Sequence, residues 1–109
     1  MDETPPERNM IDECTAACSA LLQALIEALA EQPDMVLFKL AVTGSEITIT
    51  VTFENQDDCA RFIGRKGHNL ANIRRVFHKV AHRYGYSRMM FNVVDPTGAS
   101  TVEHNSKEK

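Results

Sequence analysis

The sequence predicts an α+β domain in which helices cover one face of a three-stranded sheet. Three observations carry that expectation. An apolar stripe at helical spacing runs through the first thirty residues, two runs of strict alternation follow it, and two helical segments joined by a glycine pair precede a last alternating run. One side of each alternating run is apolar, and the helical segments supply the cover it needs.

Residues 1–8 read as a flexible tail and 9–95 as the folded domain. Asn9 suits the cap of the first helix, with Asp12 and Glu13 in its opening turn. Met10, Ile11, Cys14, Ala17, Cys18, Leu21, Leu22, Leu25, Ile26 and Leu29 recur at helical spacing, and Pro33 is expected to stop the helix at Gln32. Val36, Phe38, Leu40 and Val42 share one face of a strand. Ile47, Ile49, Val51 and Phe53 share one face of the next, with Thr48, Thr50 and Thr52 opposite. Thr43-Gly44-Ser45 fits a tight turn between them, so the pair should be antiparallel.

Asn55 can cap a short helix with Asp57 and Asp58 in its first turn, burying Cys59, Ala60, Phe62 and Ile63 and ending at Gly64. A longer helix from His68 to Tyr84 carries Leu70, Ile73, Phe77, Val80 and Tyr84 on one face and is closed by Gly85. The last strand, Arg88 to Val94, sets Met89, Phe91 and Val93 against Met90, Asn92 and Val94. Polar residues dominate 96–109, which read as a second flexible tail.

At 109 residues, with 43% hydrophobic and 25% charged residues, the chain suits one globular domain. No run approaches the roughly 20 apolar residues of a membrane span, and three cysteines without a Cys-x-x-Cys pair fit reduced thiols. A cytoplasmic protein is therefore expected. The net charge of -3 conceals a division. Residues 1–60 hold twelve acids and two bases, whereas 61–94 hold eight bases and no acid. Local potential, rather than the total, is what attracts a polyanion.

The centre of that basic stretch is Phe62 to Arg75, FIGRKGHNLANIRR. Two glycines, Gly64 and Gly67, allow a tight turn and close backbone approach, and Arg65 and Lys66 between them add charge. The loop feeds a helix N-terminus, whose N-H groups and dipole favour an anion. Phosphate is the expected guest. Arg74 and Arg75 follow on the helix and would extend a phosphate track, while His68 adds a titratable group beside the loop. Arg61, Lys79, Arg83 and Arg88 suit ordinary surface charge.

Ile63-Gly64-Arg65-Lys66-Gly67-His68-Asn69-Leu70 resembles the I-G-x-x-G-x-x-I signature of KH domains. The element order is similar to the type II, bacterial form, α-β-β-α-α-β, and the resemblance covers about residues 10 to 94. In detail the chain resembles small stand-alone bacterial KH proteins of the KhpA type. The resemblance implies binding of single-stranded RNA, or single-stranded DNA, by a clamp on about four nucleotides. Gly64 and Gly67 would allow backbone approach, Arg65 and Lys66 would supply charge, and Ile63 and Leu70 would form the groove wall or its support. It further implies post-transcriptional regulation or RNA chaperoning, and pairing as a homodimer or with another KH protein. No cofactor is implied.

Other chemistries fit less well. His78 with His82, and Cys14 with Cys18, share helix faces, but no third ligand stands close in sequence. Lys66 precedes the second glycine and no Gly-Lys-Ser/Thr follows, so the loop is not a nucleotide-hydrolysing P-loop. No catalytic constellation is visible, and no enzyme is expected. The competing expectation is a protein-interaction module, pairing with another KH-containing protein, in which the basic loop and nucleic-acid binding are secondary and the acidic half or the tails recruit partners.

Overall fold

The computed structural model describes residues 8–101, with side chains from Glu13 onward. Helix α1 spans Arg8–Leu29, strands β1 and β2 span Val36–Thr43 and Glu46–Phe53, and helix α2 spans Gln56–Ile63. Helix α3 spans His68–Arg83, and strands β3 and β4 span Arg88–Val94 and Ser100–Thr101. The α+β class holds, but the sheet is mixed and has four strands where three were expected, in the order β1-β2-β3-β4.

Strands β1 and β2 pair antiparallel through the two-residue Gly44-Ser45 turn, with Gly44 at a φ of 60° that glycine adopts without strain. Strands β2 and β3 pair parallel, setting Ile47 beside Met89, Ile49 beside Phe91 and Val51 beside Val93. A parallel pair needs a crossover, and α2, the loop and α3 provide it. On α1, Cys14, Cys18, Leu22 and Ile26 recur every fourth residue and are all buried. Phe53, Phe62, Phe91 and Phe77 form a chain of ring contacts, with centroids 5.1 to 6.3 Å apart, that ties α2 and α3 to the sheet. Edge strand β1 has the expected alternation, yet Phe38, Leu40 and Val42 are only half-buried. Leu37, on its outer face, is 62% exposed.

Four expectations are corrected. Helix α1 begins at Arg8, so Asn9 lies inside it, and its first turn holds no acid. It ends at Leu29 rather than Gln32. The Ala30 N-H still bonds to Ile26, but the next two amides, of Glu31 and Gln32, donate to the Asp58 carboxylate at 2.9 and 3.1 Å. On α2 the buried residues are Asp58, Cys59 and Phe62, while Ala60 is exposed and Ile63 is half-buried. Finally, residues 96–101 are not a tail. Asp95 Oδ1 accepts from the Thr97 N-H and hydroxyl and from the Ala99 N-H, folding the chain back so that β4 pairs with Val93 and Val94. The rest of the two expected tails, 1–7 and 102–109, lies outside the described residues, as do the side chains of Met10, Ile11 and Asp12.

Among the described residues, no helix is long and apolar enough to cross a membrane.

Candidate nucleic-acid interface

The loop between α2 and α3 is fixed at both ends. The Gly64 N-H bonds to the Ala60 carbonyl at 2.8 Å, terminating α2, and the Gly67 N-H bonds to the Gly64 carbonyl at 3.0 Å, closing a single 3-10 turn over Arg65–Gly67. Three of the four loop residues have positive φ, Arg65 being the exception: Gly64 at 80°, Lys66 at 56° and Gly67 at 76°. Lys66 is the sole non-glycine residue in that region among the described residues. A lysine held there costs about 1–2 kcal/mol relative to an ordinary helical conformation. Its side chain, like that of Arg65, is exposed.

The two glycines differ. A Cβ on Gly64 would meet Asn69 Cβ, Cγ and backbone N at 2.7 to 2.9 Å, whereas one on Gly67 would meet nothing within 4 Å. Gly64 is therefore needed for an internal contact, and Gly67 leaves bare main chain facing open space. Asn69 also donates from Nδ2 to the Arg61 carbonyl at 3.0 Å, fastening the start of α3 to the end of α2. Asn69 stands outside the residues that the loop motif marks for phosphate. Its position in the first turn after a glycine loop, within reach of unpaired carbonyls of the preceding helix, was the available signal.

The remaining expected site residues divide. His68 is exposed at the N-terminus of α3, where the backbone N-H groups and dipole favour an anion. Ile63 is half-buried beside the loop, and Leu70, at 2% exposure, supports the surface from below without reaching it. Arg75 is exposed on the outer face of α3, its Nη1 donating to Asn72 Oδ1 at 2.8 Å. Arg74 is turned toward the sheet. Its Nε donates to the Phe91 carbonyl and its Nη2 to the Thr101 carbonyl, both at 3.0 Å, so it ties α3 to β3 and β4. The cause is helical phase: Arg74 falls one residue from buried Ile73, on the flank of α3 that faces β3.

Arg61 is likewise engaged. It bonds to Asp58 at 2.7 Å and lies 3.5 Å from Glu31. The bonds from the Glu31 amide, then the Gln32 amide and Arg61, hold the Asp58 carboxyl below the usual carboxylate range. Cys14 and Cys18 sit in the core, where burial pushes the Cys18 thiol up to about 12. Such thiols are poor nucleophiles and poor ligands. Among the described residues, no three His, Cys, Asp or Glu side chains gather as a metal site.

The arrangement offers a phosphate a bare backbone turn, two exposed cations and a helix N-terminus. Phe53, Phe62, Phe77, Phe91 and Tyr86 are buried and Phe38 and Tyr84 half-buried, so few aromatic rings are offered to a base. No family model matches the chain, and neither a curated protein nor a solved structure is significantly similar to it.

Proposed function

We propose that the chain is a type II KH domain that holds short single-stranded RNA, with backbone phosphates over Gly64–Gly67 and bases along the flank of α3. The observation that carries this reading is the loop itself: a left-handed Lys66 exposed between two glycines, opening α3, in a stretch of 34 residues without an acid. A strained, charged and uncovered turn is costly to stability, and such costs concentrate where a ligand is met. The element order supports the same reading, since α2 and α3 flank the loop and β3 runs parallel beside β2. Strand β4 and its Arg74 anchor are additions at the outer edge of β3. Arg65, Lys66 and His68 meet phosphate, Gly67 allows approach, Gly64 and Leu70 shape the support, and Ile63 and Arg75 border the bound strand.

Few aromatic contacts and one short loop imply modest affinity and weak sequence selection. Replacing Arg65 and Lys66 with aspartate should abolish binding of a labelled single-stranded RNA in fluorescence anisotropy while leaving the thermal melt unchanged. For the native protein, log affinity should fall with log salt at about -0.7 per phosphate neutralised. Undiminished binding by the folded double variant would refute the assignment.

A further inference from the structure

The outer face of α3 carries a feature that the loop does not account for. Arg75, His78, Lys79, His82 and Arg83 line one shallow cleft of about 460 Å³. All five are basic or imidazole side chains, in a stretch, 61–94, that contains no carboxylate. Arg75, Lys79 and Arg83 follow one another at four-residue intervals, a spacing that makes them neighbours on a helix surface. Like charges so placed destabilise a helix, and a face shaped for stability alone would alternate their sign. Arg83 and His82 in the last turn suit the helix dipole, but that reason does not reach Arg75 or Lys79. The face begins at the loop: His68 stands two turns before Arg75 on the same side, and α3 rises about 1.5 Å per residue, so Arg83 lies about 22 Å from the loop end.

We infer that this cleft is a second phosphate-binding site, which takes the backbone of a nucleic-acid strand where it leaves the loop and so lengthens the footprint beyond four nucleotides. This rests on the RNA-binding reading above. Lys79 and Arg83 meet the added phosphates, and Arg75 bridges the two sites. Contacts of this kind position a strand and carry no base information, so the gain is in length dependence and salt sensitivity rather than in sequence preference.

Oligouridylates of about four and about ten nucleotides separate the two sites. The native chain should bind the longer RNA at least roughly tenfold more tightly at low salt, with a salt slope steeper by about 1.4 for two further phosphates. In Lys79→Gln/Arg83→Gln, and more strongly in Lys79→Glu/Arg83→Glu, the length advantage and the added slope should vanish while the four-nucleotide RNA binds as before. The neutral pair, checked by its melt, guards against misfolding from introduced repulsion. If both pairs keep the native length dependence, the second site is refuted, although loop binding stands. If these variants instead abolish concentration-dependent self-association in sedimentation and leave the longer RNA bound, the cleft receives the acidic half of another copy and the inference is overturned. A loop variant that binds both RNAs like the native chain overturns the primary reading instead.

Discussion

The two ends of α2 are built in opposite ways. At its N-terminus the Asn55 side chain caps the Asp58 amide, and the Asp58 carboxylate, 1% exposed, receives the Glu31 and Gln32 amides just beyond α1 together with Arg61. The Asp58 carboxylate accepts three hydrogen bonds, and the charge is buried because it is satisfied. At its C-terminus the chain passes through Gly64, Arg65, Lys66 and Gly67, where cations are exposed, a lysine is held left-handed and nothing covers Gly67. The first junction fastens the end of α1 to α2; the second presents an unfilled turn. The open turn stands beside a closed, fully bonded junction at the other end of the same helix.

If that division is right, stability and binding should separate by substitution, and the largest effect falls on the glycine that is internal. Gly64→Ala must displace Asn69 and adopt an unfavourable φ, which should destabilise by about 3 kcal/mol and lower Tm by roughly 15 °C. Gly67→Ala meets no neighbour and should cost only about 1 kcal/mol, so equal melts for the two variants would erase the distinction.

Next in size is the closed junction. Asp58→Ala leaves the Glu31 and Gln32 amides and Arg61 without their acceptor, and Tm should fall by roughly 10 °C with RNA affinity unchanged in the folded fraction. The same residue makes stability pH-dependent. Its folded pKa is depressed, so the contribution is present above the unfolded value of about 4 and is lost as pH falls through the lower folded one. Asp95, depressed chiefly by the Thr97 hydroxyl, acts in the same direction. Native Tm should therefore drop steeply on acidification below about pH 4, and Asp58→Asn should flatten part of that drop. A native-like acid profile in Asp58→Asn would show that the buried carboxylate is not the titrating brace.

The smallest effect distinguishes strain from charge at the open junction. Lys66→Gly removes a left-handed side chain, so the melt should hold or rise by a few degrees, worth about 1 kcal/mol, while RNA binding weakens several-fold. Loss of stability in that variant would mean that Lys66 supports the fold rather than a ligand.

The elements themselves were legible because periodicity is local. The alternation of Ile47, Ile49, Val51 and Phe53 specifies a buried strand face wherever that strand lies, and Gly64 and Gly67 bracket a basic turn in any context. The cap at Asn55 and the Gly85 closure of α3 could also be read, since each rests on a few adjacent residues; the Gly85 and Tyr86 amides bond to the His82 and Ala81 carbonyls as such a closure requires. Strand β4 could not, because two residues show no period and its place depends on the Asp95 turn and on Arg74.

Sequence alone thus determined the class of fold, the core faces of α1, β2 and β3 and the location of the exposed basic loop, all of which follow from nearest-neighbour chemistry along the chain. Tertiary structure decided which charges are available. Arg61, Arg74 and Arg75 carry the same side chain, yet one pairs with a buried aspartate, one ties two strands and one faces outward. It also decided where α1 ends, through an aspartate 27 residues beyond the amide it accepts. The physical reason is that a charged group's partner is set by distance in space, and separation along the chain says nothing about that distance until the helices have packed.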